Sequence, residues 1–173
     1  VDEFVEVARL LAPYADGLEL NLSCPHAKGY GMAMGQDPEL VAEIVSAVKD
    51  AVSISVVPKL TPNTDRIGEI ATAAAAAGAD AICAINTVGP GAHTAHGHDV
   101  LSNGVGGLSG KGVLAVAQKC IRDIRAVTDL PIIGCGGVSS IGDVTSMRSA
   151  GAEIIGVGSA LTGMTTEEMK AYF

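Results

Sequence analysis

The chain has 173 residues and a net charge of −8, a length that buries one sizeable core and a balance that excludes a nucleic-acid backbone as partner, since that requires clustered Lys and Arg. Mean hydropathy is +0.38, yet charged residues interrupt every apolar stretch before the ~18 residues that a membrane-spanning helix needs. The apolar excess is Ala, Gly, Val and Ile, with no Trp and only two Phe, which is the usage of buried parallel strands covered by small-residue helices and points to an α/β fold.

Residues 1–15 place Val1, Phe4, Val5, Ala8, Leu10 and Leu11 on one broad stripe, the pattern of an amphipathic helix. A strand follows at 18–22. After a glycine-rich segment, Asp37-Pro38 marks the start of a helix, with Asp as cap and Pro at the first helical position. Leu40, Val41, Ile44, Val45 and Val48 form its apolar face. The second strand spans 54–60. Its helix, 65–77, is rich enough in alanine to pack closely on a sheet, and Gly78 stops it. The third strand, 81–86, leads into a stretch from 87 to 112 that is far longer than the ~2–6 residues of an ordinary β-to-α connection. Beyond it come a helix at 113–127, a strand at 131–135, a helix at 141–150, a strand at 153–157 and a short final helix.

Five strand-then-helix units after an opening helix give either an open doubly wound sheet or a closed barrel. Polar or glycine residues follow every strand: Ser23-Cys24, Thr61, Asn86-Thr87, Gly136-Gly137 and Gly158-Ser159. A ring of active-site loops at one barrel face accounts for all of these, whereas an open sheet concentrates its site at one switch point. The expected fold is therefore a (β/α)₈ barrel to which this chain contributes about five units.

Several residues carry chemistry. Cys24, just past the first strand in Asn21-Leu22-Ser23-Cys24-Pro25-His26, is placed to act as general base, nucleophile or general acid; a buried, inert thiol is the alternative. The segment from Gly29 to Gly35 reads as a loop able to open and close. Lys59 interrupts an apolar run and needs an anionic or electron-rich partner. It could stabilise a reduced flavin, form a Schiff base, or simply extend its ammonium to water from a strand end. Asn86-Thr87 suits the edge of a planar heterocycle, and equally a turn. The glycine groups 106–110, 134–137 and 156–159 include two at the ends of the last two strands, where barrels bind phosphate through backbone N–H groups; tight turns are the alternative. No G-x-G-x-x-G follows a first strand, so the dinucleotide fingerprint is absent. His93, His96 and His98 lack acidic or Cys partners at matching spacing and are read as solvated loop residues, not as metal ligands. The four cysteines form no C-x-x-C pair and are read as free thiols, which, with no leader pattern at Val1, makes a reducing cytoplasm the expectation.

Together these residues resemble the dihydroorotate dehydrogenases of class 1, particularly the 1B type. The resemblance covers nearly the whole chain and rests on Asn21-Leu22-Ser23-Cys24-Pro25, Lys59-Leu60-Thr61-Pro62-Asn63, Ile85-Asn86-Thr87, Val100-Leu101-Ser102-Asn103 with Gly106 to Gly110, and the two closing glycine motifs. It implies FMN as cofactor and oxidation of dihydroorotate to orotate in pyrimidine biosynthesis. Cys24 would remove the C5 proton while hydride passes from C6 to N5 of FMN. Asn21, His26, Asn86 and Thr87 would bind the substrate. Asn21, Lys59 and Ile85 would contact the flavin, and Gly110, Gly136, Gly137, Gly158 and Ser159 would surround its phosphate. His26 departs from the Asn that many members carry there. Dihydropyrimidine dehydrogenase is similar in the same motifs, with the thiol acting as acid on uracil, and is the competing resemblance; an aldolase-like barrel and an inactive barrel remnant are the others. The resemblance further implies a homodimer and a separate FAD and iron–sulfur subunit. Because family barrels have eight strands, residues 1–173 are expected to be the C-terminal part of a single FMN-binding domain that holds FMN poorly by itself.

Overall fold

The computed structural model describes residues 1–23 and 31–172. Helix α1 (Asp2–Leu11) ends earlier than its apolar stripe suggests, because Pro13 belongs to a separate 3₁₀ turn, Ala12–Tyr14. Strand β1 (Gly17–Asn21) follows. The segment expected to be a loop before Asp37 instead contains helix α2 (Gly31–Gln36). Helix α3 (Pro38–Ala51) starts where Asp37 and Pro38 predict: the Asp37 carboxylate accepts hydrogen bonds from the backbone N–H of Glu39 at 3.0 Å and Leu40 at 3.4 Å. Strand β2 (Ser55–Leu60), helix α4 (Ile67–Ala76) and strand β3 (Ile82–Ala84) come next.

The long stretch after β3 is not an unstructured loop. Strand β4 (Val88–Ala92) pairs antiparallel with β7 (Val105–Leu108), and between them β5 (Thr94–Ala95) pairs with β6 (His98–Asp99). The inner hairpin turns at His96-Gly97, both with positive φ (53° and 81°), as a two-residue turn requires. Glycine at 97 fits that rule, but His at 96 gave no such signal in the sequence. Helix α5 (Leu114–Arg125), strand β8 (Ile132–Cys135), helix α6 (Ile141–Ala150), strand β9 (Ile154–Gly156) and helix α7 (Thr166–Tyr172) complete the chain.

The five long-range strands form one parallel sheet in the order β1-β2-β3-β8-β9, which is also their chain order. A doubly wound sheet reverses direction at a switch point and places helices on both faces. Here the order never reverses, and α1, α3, α4, α5 and α6 pack in succession against their neighbours. All crossovers therefore lie on the same side, as in a barrel wall. The alternation along β1 and β2 shows which side is which: Leu18, Leu20, Val56 and Leu60 are buried toward the helices, while Glu19, Asn21 and Lys59 point to the concave side.

The main core lies between the sheet and the helices. Val41, Ile44, Val45 and Val48 of α3, Ile70 of α4, and Ile121 and Ile124 of α5 are fully buried against Val56, Leu60, Ile82 and Ile132. Gly134 in β8 leaves room for this packing, since a Cβ there would lie 2.7 Å from Ala152 Cβ and 2.9 Å from Ile121 Cδ1. Arg125 closes the opposite end of the sheet by donating to the carbonyls of Thr128, Leu130 and Gly151 and to the Glu153 carboxylate. Among the described residues no helix is long and apolar enough to cross a membrane.

Because Ile121 of α5 is fully buried against β8 at Gly134, Ile121→Ala should lower the unfolding free energy by roughly 2–5 kcal/mol. A urea titration followed by far-UV circular dichroism measures this, and a loss below about 1 kcal/mol would contradict the assigned packing.

Candidate functional site

Parallel strands bring all their C-terminal ends to one edge of the sheet, and the predicted site residues collect there. A cavity of about 390 Å³ is lined by Lys59, Ile85, Asn86, Thr87, Gly110, Gly136, Gly137, Gly158 and Ser159, all nominated from sequence. Asn21 is tied to the same group, because its Oδ1 accepts from Asn86 Nδ2 at 2.9 Å. Cys24 and His26 lie outside the described residues.

The cavity has two chemically different ends. At one, loops after β8 and β9 meet the turn before α5. Gly110, Gly136 and Gly137 have φ of 84°, 114° and 80°, conformations that favour glycine. A Cβ on Gly137 would lie 2.7 Å from Leu114 N and 2.9 Å from Gly110 O, so two backbone segments approach here as only glycine permits. Gly110 and Gly158, by contrast, face open space within 4 Å. Ser159 Oγ and Ser109 Oγ are hydrogen-bonded at 2.8 Å across the gap. Such glycine-lined backbone, flanked by hydroxyls, suits a phosphate.

Two side chains that brace the cavity, one at each end, were not assigned a role from the sequence. The Asp143 carboxylate accepts from Ser139 N at 3.0 Å and Ser139 Oγ at 3.1 Å and is ion-paired with Lys111. It thereby links the loop after β8 to the turn that carries Gly110. The hydrogen bond from Lys111, with those from the Ser139 N–H and the Ser140 and Ser139 hydroxyls, holds the Asp143 carboxyl well below the usual carboxylate range although burial opposes the shift. In the sequence Asp143 looks like an ordinary first-turn helix acid. Asn63 is the second support. Its Nδ2 donates to Thr61 Oγ1 at 3.1 Å and to Thr87 O at 3.0 Å, while its Oδ1 accepts from Gly89 N at 2.8 Å. It locks the loop after β2 to the start of the β4 excursion.

The other end is polar and contains a cation. Asn86 Nδ2 donates to Asn21 Oδ1 and, at 2.7 Å, to the buried Ser23 hydroxyl. Its own Oδ1 accepts from Thr87 N at 2.8 Å. The Asn86 side chain is thus fixed by hydrogen bonds on both its amide nitrogen and its oxygen. Lys59 Nζ is paired with Glu19 Oε1 at 3.1 Å and is partly buried. Burial alone lowers its pKa, but the electrostatic pull of Cys135 and Cys83 and the Glu19 hydrogen bond outweigh that and hold it above the ordinary lysine value. A Schiff-base lysine needs its pKa lowered to supply a neutral amine, so the aldolase-like use of Lys59 is disfavoured. The ammonium does not simply extend into water either; it is held against a carboxylate on the concave face.

Fold and site together define a class: a β/α barrel wall whose strand ends carry glycine-lined backbone, a fixed amide side chain and an ion-paired lysine. Residues 1–170 match the family described as dihydroorotate dehydrogenase, and the chain belongs to that family. It is 51% identical over 161 residues to dihydroorotate dehydrogenase B (NAD(+)), catalytic subunit, of Methanosarcina acetivorans, covering 92% of this chain and 52% of that protein. It is 47% identical over 161 residues to the protein of the same description from Pyrococcus horikoshii, covering 92% and 53%. A crystal structure of DHODH from Eimeria tenella in complex with ferulenol superposes with a TM-score of 0.77 at 24% identity, over 92% of this chain and 48% of that one. The chain spans about half the length of the curated relatives it matches, and its five β/α units form part of the barrel that the solved structure completes. Membership of this family implies a flavin cofactor, and the cavity's phosphate-compatible end and charged end fit one.

The depressed Asp143 value carries a pH consequence. A carboxyl whose folded pKa lies below its unfolded value of about 3.9 stabilises the fold fully above that value and loses its contribution progressively as pH falls from there through the folded pKa. Wild-type protein should therefore lose urea resistance between about pH 5 and pH 2 more steeply than Asp143→Asn, which starts weaker at neutral pH. Equal slopes for the two proteins would remove Asp143 from this role.

Proposed function

We propose that this chain provides the C-terminal part of a single FMN-binding barrel domain that oxidises dihydroorotate to orotate in pyrimidine biosynthesis. The observation that carries the reading is the continuous cavity running from a glycine-lined anion cradle to Lys59, Asn86 and Thr87, in a member of the dihydroorotate dehydrogenase family.

In this reading Gly110, Gly136, Gly137, Gly158 and Ser159 hold the FMN phosphate, Ile85 and Lys59 flank the ring, and Lys59 keeps a positive charge beside it. Bound FMN would supply a two-electron acceptor for hydride. Asn21, Asn86 and Thr87 hold the planar pyrimidine by donors and acceptors whose directions are already fixed through the Asn21–Asn86–Ser23 hydrogen bonds. Cys24 lies one residue beyond Ser23, and its thiolate takes the C5 proton; His26 assists in binding the substrate. A base positioned in this way contributes about 10² to 10⁴ in rate.

The relatives' description as an NAD(+)-type catalytic subunit supports a second, electron-transferring subunit. We assign it an FAD and an iron–sulfur cluster, and assign the catalytic part a homodimeric state in the cytoplasm. The uracil-reducing alternative draws on the same motifs and has no separate observation in its favour.

In the complete FMN-loaded barrel, Cys24→Ala should retain FMN, while flavin bleaching by dihydroorotate in stopped flow slows by about 10² to 10⁴. Bleaching at the wild-type rate would remove Cys24 as base. Oxidation of the reduced protein by uracil, with no bleaching by dihydroorotate, would favour the alternative substrate.

A further inference from the structure

Two cysteines that the proposed chemistry does not use face each other in the wall of the same cavity. Cys83 on β3 and Cys135 at the end of β8 belong to adjacent parallel strands, with Cys83 opposite Ile133. Their sulfurs are 3.7 Å apart. Cys135 is half-buried and lines the cavity, whereas Cys83 behind it is 1% exposed. The Cys135 thiol also lies 3.2 Å from the Ile85 carbonyl oxygen. Cys135 is the one of the two that Lys59 favours as a thiolate. Cys120, buried in α5, is a third described thiol outside this group.

We infer that Cys83 and Cys135 form a dithiol modification site, oxidised to a disulfide by a peroxide that enters through the cavity. The inference does not depend on the proposed substrate or cofactor. A disulfide requires sulfurs about 2.05 Å apart, so the 3.7 Å separation leaves roughly 1.6 Å to close; because Cys135 lies two residues beyond Ile133, the partner of Cys83, closing it takes a shift of the strand ends as well as side-chain rotation. The two thiols have different roles. Cys135 meets the cavity. It is the more acidic of the pair, first because it accepts the hydrogen bond from Cys83, with Lys59 adding to that and burial opposing it. Cys83, 1% exposed behind Cys135 and not itself lining the cavity, cannot meet the peroxide first and so serves as the resolving thiol, although the same hydrogen bond and burial hold it well above the usual thiol range.

The chemistry balances with one peroxide. The Cys135 thiolate attacks a peroxide oxygen; the S–O bond forms, the O–O bond breaks, and hydroxide leaves and takes a proton as water. The Cys83 sulfur then gives up its proton and attacks the Cys135 sulfur. The S–S bond forms, the S–O bond breaks, and a second hydroxide leaves as water with that proton. Two thiols lose two electrons in all, and one hydrogen peroxide becomes two waters. The disulfide removes the Cys135 thiolate from beside Lys59 and leaves Glu19 as its described counter-charge, so oxidation alters the surroundings of the cation in this cavity.

The test uses the wild-type protein, reduced, freed of reductant and treated with hydrogen peroxide, followed by denaturing alkylation and peptide mapping by mass spectrometry. The expected result is one linked peptide pair joining Cys83 to Cys135, reversed by dithiothreitol, with Cys120 still alkylated. In Cys83→Ala no resolving thiol remains, so Cys135 should accumulate as sulfenic acid and be trapped by dimedone at least tenfold more than in wild type. A link between other cysteines would overturn the inference. So would equal dimedone trapping in the two proteins, or both thiols remaining alkylatable after peroxide treatment.

Discussion

All the crossovers of this chain pass on the same side of one parallel sheet, and this constraint shapes everything else in the structure. Strands in unbroken chain order, each covered by a helix packed against the next, have one convex face sealed by apolar contacts and one concave face free for polar groups. Their C-terminal ends are then forced to a common edge. Residues as distant in sequence as Asn21 and Ser159 meet around one cavity because of this geometry, without any local attraction between them.

The cavity holds its charges by contact, not by exposure to water. Lys59 sits in a run of hydrophobic residues, and burial works against its charge; the Glu19 carboxylate from the neighbouring strand offsets this. At the far end Lys111 and Asp143 do the same for each other while bracing the backbone that makes the cradle. An anionic, planar ligand would thus find donors and positive charge already positioned, with little reorganisation left to pay for.

The strand-and-helix alternation was legible in the sequence because β-branched runs, alanine-rich helices and caps such as Asp37 act locally. Most bounds shifted by only a residue or two. Two segments were misread. Residues 87–112 carry many glycines and little apolar periodicity, so they resemble a loop, yet their pairing of Val88 with Leu108 is non-local and depends on turns with positive φ. The helix Gly31–Gln36 is only six residues long, and Gly31 and Gly35 mask the helix-forming Met32, Ala33, Met34 and Gln36 between and beside them. Among site residues, the glycines, Lys59 and Asn86-Thr87 stood out by type and position. Asn63 stood within a quoted motif but without a role, and Asp143 did not stand out, since an acid in a helix's first turn is ordinary until its partners are known.

By itself the sequence determined the α/β class, the order of elements, the family resemblance and most of the residues that meet at the cavity, because each of these is encoded in composition, periodicity or a contiguous motif. Only the tertiary structure decided that Asn86 is fixed by Asn21 and Ser23, that Asp143 braces the cradle through Lys111, and that Cys83 and Cys135 stand 3.7 Å apart beside Lys59. Those relations join residues separated by 32 to 65 positions, and distance in space across neighbouring strands leaves no periodic trace along the chain.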